Sequence, residues 1–194
     1  DLRTINLQHL RSQVALVSGT QYFFDGTIRD NMQRVFPNAT NDRIVWACKL
    51  ACVDQDIEKL SEGYDSQLTD DASSLSPAVK QKLAIARALI RNPKVLVLDD
   101  IFANLDIQNE LMILDGISDL AKGRTLIIIS QQIWYLKYCR KIIFMEDGKI
   151  KQMGTPKEVM SQDGPIQNFS NQQLKIISSR FQGQHNLIFD EMKN

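Results

Sequence analysis

Two adjacent carboxylates, Asp99 and Asp100, directly follow the apolar run 95–98. An apolar run without polar alternation is typical of a parallel strand that is buried on both faces. Asp99 is therefore the first residue that can leave the core at the carboxyl end of this strand. Phosphate-handling α/β proteins hold a metal ion and a water molecule at such strand ends. The pair predicts a site of this kind, and the alternative is an acid that caps a turn or a helix.

A long helix precedes this strand. Ser76 is a favourable N-cap because its hydroxyl can accept a hydrogen bond from an orphan backbone N–H at the helix start. Pro77 suits the first helical position, where its missing N–H costs nothing. Apolar residues then recur at helical spacing until Asn92-Pro93 ends the helix. The sequence therefore predicts a helix that leads directly into the strand with the two acids.

The remaining elements alternate between helices and strands. They are a helix at 6–13, a strand at 14–17, a mostly helical region at 25–91 with Thr40 as a cap and Glu62-Gly63 as a break, a strand at 94–98, a helix at 106–121 and a strand at 125–129. Strand, helix and strand in succession imply a right-handed crossover and a parallel sheet. Asp147-Gly148 predicts a tight hairpin turn, and Thr155 with Glu158 predicts a capping box.

The composition limits the class of protein. The 194 residues carry 23 basic and 23 acidic side chains, and 43% of them are hydrophobic. Such a chain can form one domain with a core, and its balanced charge does not indicate a nucleic-acid-binding surface. No apolar run approaches the roughly 20 residues that span a bilayer. Cys48, Cys52 and Cys139 have no metal-binding spacing, which favours small core residues in a reducing compartment.

The segment 75–106, LSPAVKQKLAIARALIRNPKVLVLDDIFANLD, resembles the signature helix, Walker B strand and D-loop of an ATP-binding-cassette (ABC) ATPase domain. Other segments resemble the strand and loop around the Q-loop (10–18 and 24–32), the lead-in to the signature (63–68), the H-loop strand (123–130) and the closing hairpin and helix (141–160). The resemblance is to multidrug-resistance (P-glycoprotein-like) and lipid-exporter domains, and it covers about residues 1–165.

This resemblance implies a fold class and a domain organisation. We expect an α/β chain with a partial P-loop NTPase (ABC ATPase) fold, in which a helical subdomain at about 25–91 is inserted beside a parallel-sheet core. Residues 1–165 would form an incomplete nucleotide-binding domain, and residues 166–194 a tail or an extra helix. Gly148-Lys149 is the one Gly-Lys pair and belongs to the hairpin, so the 194 residues contain no Walker A motif. Because the chain begins at Asp1 rather than Met, we expect that motif to lie upstream.

The resemblance also assigns roles to particular residues. Asp99 would hold Mg²⁺ through water, Asp100 stands at the position of the catalytic glutamate, and Gln131 stands at the position of the H-loop histidine. Asp106 matches the D-loop aspartate and equally suits a helix N-cap. The signature positions that would contact the γ-phosphate of an ATP held by the opposite domain are Ser76, Pro77 and Ala78.

Several of these positions depart from the family pattern. Pro77 removes an amide donor where the LSGGQ signature has glycine, and Ala78 also fills space that glycine leaves open. Gly19 replaces the Q-loop glutamine, unless Gln21 substitutes for it. Gln131 cannot shuttle a proton near pH 7 as histidine does. Together with the shorter carboxylate at position 100, these changes predict a site with weakened phosphate chemistry.

The function implied is that of a nucleotide-binding domain of an ABC exporter, with a degenerate site of weak or no turnover. The implied cofactors are ATP and Mg²⁺, and the implied partners are a transmembrane domain and a second nucleotide-binding domain, without nucleic acid. The chain would lie at the cytosolic face of a membrane through its transporter, with no transmembrane segment of its own. The alternatives are an active ATPase, a non-hydrolysing or regulatory cassette domain, a soluble cassette protein and a vestigial truncated product.

Overall fold

The chain divides into two units, residues 1–129 and residues 130–194. The computed structural model describes residues 1–102 and 104–180. Ala103 of the predicted D-loop and residues 181–194 of the predicted tail lie outside the described residues.

The first unit is an α/β chain. Its helices are α1 (Leu7–Gln13), α2 (Ile28–Val35), α3 (Asn41–Leu50), α4 (Asp54–Glu58), α5 (Pro77–Leu89) and α6 (Ile107–Leu120). Its strands are β1 (Val14–Ser18), β2 (Gly26–Thr27), β3 (Gln67–Leu68), β4 (Val95–Asp99) and β5 (Thr125–Ile129).

Three strands of the first unit form a parallel sheet in the order β1-β4-β5. The register aligns Ser18, Asp99 and Ile129 at the carboxyl end of the sheet. Helix α6 connects β4 to β5, as a parallel connection requires. The predicted parallel sheet is therefore confirmed, and β4 continues one residue beyond the predicted strand to include Asp99.

Helices α5 and α6 cover one face of this sheet. Leu89 of α5 and Ile117 of α6 line a small apolar cavity together with Leu96 of β4 and Leu126 of β5. Residues 81–86 of α5 are all buried. Apolar residues recur along α5 because the helix packs between the sheet and other parts of the first unit.

The opposite face of the sheet is apolar and exposed. Leu16 of β1 and Ile129 of β5 are 63% and 51% exposed, and Val14 and Ile127 are exposed as well. The register places Val97 between Leu16 and Ile127, so these side chains form a continuous apolar strip. Parallel sheets in proteins are normally covered on both faces, which makes the strip a surface for association.

The region that the sequence predicts as mostly helical contains α2 to α5. Thr40 caps α3 as predicted, because its hydroxyl accepts a hydrogen bond from the Arg43 N–H at 3.3 Å. The prediction misses β2 and β3, which form a short antiparallel pair between Gly26 and Leu68 and between Thr27 and Gln67. Strands of two residues are too short to show an alternating pattern.

Helix α3 ends at Leu50, inside the region 25–91 that the sequence predicts as mostly helical. The end is a Schellman motif, in which the Val53 N–H donates to the Cys48 carbonyl and the Cys52 N–H to the Lys49 carbonyl. Cys52 has a φ of 53° in the left-handed position where glycine is usual. Without a glycine, the sequence gives no signal for this helix end.

The second unit contains a hairpin and two α-helices. They are β6 (Ile142–Glu146), β7 (Lys149–Gly154), α7 (Pro156–Ser161) and α8 (Pro165–Arg180). Asp147 and Gly148 have φ values of 50° and 70°, typical of a type I′ turn, which confirms the predicted hairpin. The predicted capping box of Thr155 and Glu158 is present at the start of α7. Within the described residues, no helix is long and apolar enough to cross a membrane.

The exposed apolar strip predicts self-association of the 194-residue chain when it is expressed by itself. The double variant Leu16→Thr and Ile127→Thr should shift the chain towards the monomer in sedimentation velocity, because threonine retains strand propensity and removes apolar surface.

A matched control comes from the covered face of the same sheet. Leu98→Ala should lower the free energy of unfolding by about 2–5 kcal/mol and should not reduce association. A wild-type chain that stays monomeric at micromolar concentration, or a double variant that associates unchanged, would contradict this account of the strip.

Candidate functional site

The two acids of the predicted site lie at the carboxyl edge of the parallel sheet. Asp99 is the last residue of β4 and is half-buried, and Asp100 follows it as an exposed residue. The Asp100 N–H donates to the Ile129 carbonyl at 2.9 Å. With a φ of 48°, Asp100 turns the chain out of the sheet.

The loop after β1 meets this acid pair. Ser18 is the register partner of Asp99, and Gly19 follows it. A Cβ atom added to Gly19 would lie 3.7 Å from the Asp100 carbonyl oxygen, which is an ordinary contact. Packing around the Cβ position therefore does not require a glycine here. Gln21 does not extend from this loop, because its side-chain amide donates to the Ser18 carbonyl.

The start of α5 is a closed helix cap. The Ser76 hydroxyl accepts a hydrogen bond from the Val79 N–H at 3.3 Å, and Pro77 occupies the first helical turn. Ser76 and Pro77 are exposed, and Ala78 is half-buried. The predicted cap is confirmed. A helix start binds a phosphate through free backbone N–H groups, and here proline lacks one while serine engages another.

Residues 69–75 directly precede the N-cap of α5, and from here on we call this segment the lead-in. It contains three consecutive non-glycine residues in the left-handed region. Asp70, Asp71 and Ala72 have φ values of 49°, 56° and 55°. This conformation costs roughly 1–2 kcal/mol for each L-residue, so other contacts must hold it. The Lys80 ammonium donates to the Asp71 carbonyl oxygen at 2.7 Å, and Ala72 is buried. These contacts fix the lead-in against the first turn of α5.

The carboxylate of Asp71 contacts the loop after β1. Its Oδ1 accepts a hydrogen bond from the Phe23 N–H at 2.7 Å. Two acids in the lead-in would repel a phosphate, but the carboxylate of Asp71 instead binds the backbone of the loop after β1. The contact joins residues 48 positions apart in the chain, and no local pattern could have predicted it.

Tyr22, Phe23 and Phe24 form what we call the aromatic knuckle. Phe23 is only 1% exposed, whereas Tyr22 is 61% exposed and Phe24 is exposed as well. The rings of Tyr22 and Phe24 contact each other edge to face, with centroids 5.2 Å apart. The guanidinium of Arg34 lies over the Phe24 ring, 4.6 Å from its centroid. The knuckle therefore presents an aromatic surface on a buried anchor.

Two further side chains fix the backbone of the knuckle. Asn31, which is buried, accepts a hydrogen bond from the Phe24 N–H at 2.9 Å and donates one to the Phe24 carbonyl at 2.8 Å. Arg87 of α5 donates to the Tyr22 carbonyl at 2.7 Å, and its guanidinium lies 4.8 Å from the Phe23 ring centroid. Burial lowers the pKa of Arg87, and the charge of Asp71 opposes this effect.

Asp106 caps helix α6, as the sequence predicts. Its Oδ1 accepts a hydrogen bond from the Asn109 N–H at 2.9 Å, and the Asn109 side chain donates to Oδ2 at 2.5 Å. These hydrogen bonds from Asn109 lower the pKa of Asp106 below its ordinary value. Asn104, in the predicted D-loop, donates to the buried Gln81 of α5 at 3.1 Å.

Gln131 belongs to the second unit and is exposed there. Its backbone carbonyl accepts a hydrogen bond from the side-chain amide of Gln173 in α8. The structure thus brings Asp99, Asp100 and Gly19 together in the first unit and places Gln131 in the other.

Asp99 offers one carboxylate to a divalent cation. Among residues 1–102 and 104–180, no group of three or more His, Cys, Asp and Glu side chains could hold a metal ion. Mg²⁺ usually keeps several waters and binds one or two carboxylates together with the phosphates of a substrate. A half-buried acid at the edge of a parallel sheet fits that role, and other groups would have to hold the phosphates.

Comparison with known proteins decides the family. A family profile described as "ABC transporter" matches residues 1–103, which is more than half of the 194 residues. The chain belongs to the ABC transporter family.

Curated members of the ABC transporter family align along most of the chain. "ABC transporter B family member 2" of Dictyostelium discoideum is 36% identical over 175 residues, which are 90% of this chain and 12% of that protein. "Multidrug resistance protein pgp-1" of Caenorhabditis elegans is 37% identical over 164 residues, 84% of this chain and 12% of that protein. The chain thus spans about an eighth of the length of these relatives.

A solved structure agrees with the fold. "Structure of a bacterial Atm1-family ABC exporter with ATP bound" superposes with a TM-score of 0.80 at 27% sequence identity. The match covers 86% of this chain and 29% of that one. The predicted fold class, an α/β chain with the parallel-sheet core of an ABC ATPase domain, is confirmed.

The cap at Asp106 predicts a pH-dependent contribution to stability. Because folding lowers the pKa of this carboxyl, the contribution is present above the unfolded pKa of about 3.9 and is lost as the pH falls through the lower folded pKa. Asp106→Ala should lower the free energy of unfolding by about 1 kcal/mol at pH 7, and the difference from wild type should shrink below about pH 4.

The measurement is urea unfolding in the Leu16→Thr, Ile127→Thr background. Asp119→Ala in the same helix removes an equal charge from an exposed ion pair with Lys122, which should change stability by less than about 0.5 kcal/mol. Equal effects of the two alanine variants, or a pH-independent Asp106→Ala difference, would contradict the cap assignment.

Proposed function

We propose that this chain is part of the nucleotide-binding domain of an ABC exporter and that the ATP sites to which it contributes turn over ATP weakly or not at all. The observation that carries the proposal is the contrast between the acid pair and the start of α5. Asp99 and Asp100 stand at the carboxyl edge of the sheet, while Ser76 and Pro77 close the helix start that a phosphate would need.

The acid pair supports the nucleotide-binding part of the proposal. Asp99 would hold Mg²⁺ through water beside the phosphates of ATP, which supply the remaining ligands when bound. Asp100 would orient the attacking water. Its side chain is one methylene shorter than glutamate, and a misplacement of about 1 Å can cost on the order of 100-fold in rate.

Four positions support the weak-turnover part. Pro77 has no N–H to offer an oxyanion, and the Ser76 hydroxyl is already hydrogen-bonded to its own helix. Gly19 supplies no side chain to the acid pair, although there is room for a Cβ atom at this position. Gln131 could donate a hydrogen bond to a phosphate but could not exchange a proton near pH 7.

The aromatic knuckle supports a transmembrane domain as a partner. Exposed Tyr22 and Phe24 rings are anchored by buried Phe23 and by Asn31, so they form a rigid apolar surface that suits a short helix end. A second nucleotide-binding domain would face Ser76. In this arrangement the chain lies at the cytosolic face of a membrane and is held there by its transporter.

A non-hydrolysing or regulatory cassette domain is the second candidate function. The closed cap at Ser76 and Pro77 favours it, because this geometry stabilises α5 and needs no nucleotide. The two candidates differ in whether the acid pair contributes to turnover at all.

Restoring the family residues should raise ATP turnover in the complete protein. The combination Gly19→Gln, Pro77→Gly, Ala78→Gly and Gln131→His should increase it by at least about tenfold, equivalent to about 1.4 kcal/mol of transition-state stabilisation. The reason is that Gly19→Gln and Gln131→His return two side chains of the family pattern, and Pro77→Gly returns an amide donor for the ATP that the opposite domain holds.

The same combination with Asp100→Asn is the matched control. It should remove the part of the gain that arises at the acid pair, because asparagine keeps the shape of the side chain without the charge that orients water. Phosphate production from ATP is measured in each variant. A restored protein with no gain, or a gain that Asp100→Asn leaves wholly unchanged, would show that the acid pair at this edge of the sheet does not contribute to turnover.

A further inference from the structure

We propose that Asp71 and Arg87 are positioning residues that join the aromatic knuckle, the lead-in and helix α5 into one mechanical unit. A partner that moves the knuckle would then move the start of α5. The identity of that partner as a transmembrane domain rests on the proposed function, whereas the connection itself rests on the contacts within this chain.

The first connection runs from the knuckle to the start of α5. The Phe23 N–H donates to the Asp71 carboxylate at 2.7 Å, and a hydrogen bond to an ionised acceptor is stronger than one between neutral groups. The backbone carbonyl of Asp71 in turn accepts a hydrogen bond from Lys80, in the first turn of α5, also at 2.7 Å. Asp71 therefore bonds the knuckle with its side chain and the helix with its backbone.

The second connection runs from the knuckle to the end of α5. Arg87 lies in the last turn of the helix, and its Nη1 donates to the Tyr22 carbonyl at 2.7 Å. Its guanidinium also lies over the buried Phe23 ring. The knuckle is thus bonded near both ends of a thirteen-residue helix, which can transmit a displacement because its backbone hydrogen bonds make it stiff.

The knuckle cannot absorb a displacement by itself. Buried Asn31 fixes both backbone groups of Phe24, and the Phe23 ring is enclosed in the core. A force on the exposed Tyr22 and Phe24 rings therefore acts on α5 and on the lead-in. Because α5 begins at Ser76, the position of the predicted signature residues follows from the position of the knuckle.

The neighbouring residue Asp70 provides a matched control. It carries the same charge, has a similar left-handed φ of 49°, and is exposed. Within the part of the chain that the structure describes, it forms no hydrogen bond or ion pair. Asp70→Ala and Asp71→Ala therefore change charge and backbone strain alike and differ in the connection alone.

The test is amide hydrogen exchange of the complete protein. Asp71→Ala should raise exchange in both 22–24 and 76–80 by at least about tenfold, whereas Asp70→Ala should leave both unchanged. Asp71→Asn retains an acceptor oxygen and should restore most of the protection. Unchanged exchange in 95–99, at the centre of the sheet, shows that each variant is folded. Loosening of 22–24 with full protection of 76–80 would overturn the proposal.

A double-variant cycle tests the transmission. If a partner binds the knuckle and moves it, Phe24→Ala should raise hydrogen exchange at 76–80 in the wild-type background. In the Asp71→Ala background, Phe24→Ala should cause no further increase in exchange. Independent, additive effects would overturn the proposal. If only the proposed function is wrong, the result differs. Phe24→Ala would then leave both hydrogen exchange and ATP turnover unchanged, whereas Asp71→Ala would still raise exchange in the two segments.

Discussion

The in-register pairing of β1, β4 and β5 is the constraint on which the candidate site depends. Ser18, Asp99 and Ile129 end their strands at one level, so the loops that follow must converge. The bond from the Asp100 N–H to Ile129 then fixes the turn after β4. A shift of β4 by one residue would move its side chains to the opposite face, and Asp99 would leave the site.

Helix α5 links this edge to the rest of the first unit. It packs against the covered face of the sheet, its start carries the predicted signature residues, and its last turn holds the knuckle through Arg87. Residues that stabilise the helix therefore also shape the site. Ser76 and Pro77 illustrate the conflict, because the features that make a good helix start occupy the groups that would bind a phosphate.

Features set by local chemistry could be predicted from the sequence. The cap at Ser76, the strand that leads to Asp99 and the hairpin at Asp147 each depend on neighbouring residues, and the structure contains all of them. Contacts between distant segments could not be predicted. The bond from Phe23 to Asp71 depends on tertiary packing, and the end of α3 at Leu50 depends on the left-handed backbone of Cys52, which the sequence does not mark with a glycine.

The chain retains the scaffold of an ABC ATPase domain, and we propose that the ATP sites to which it contributes have lost most of their phosphate chemistry. A single-turnover experiment tests this most directly: labelled ATP is bound to the complete protein with Mg²⁺, and the release of intact ATP is compared with its conversion to ADP. The account predicts that a substantial fraction of the bound ATP dissociates intact. Complete conversion before dissociation would contradict it.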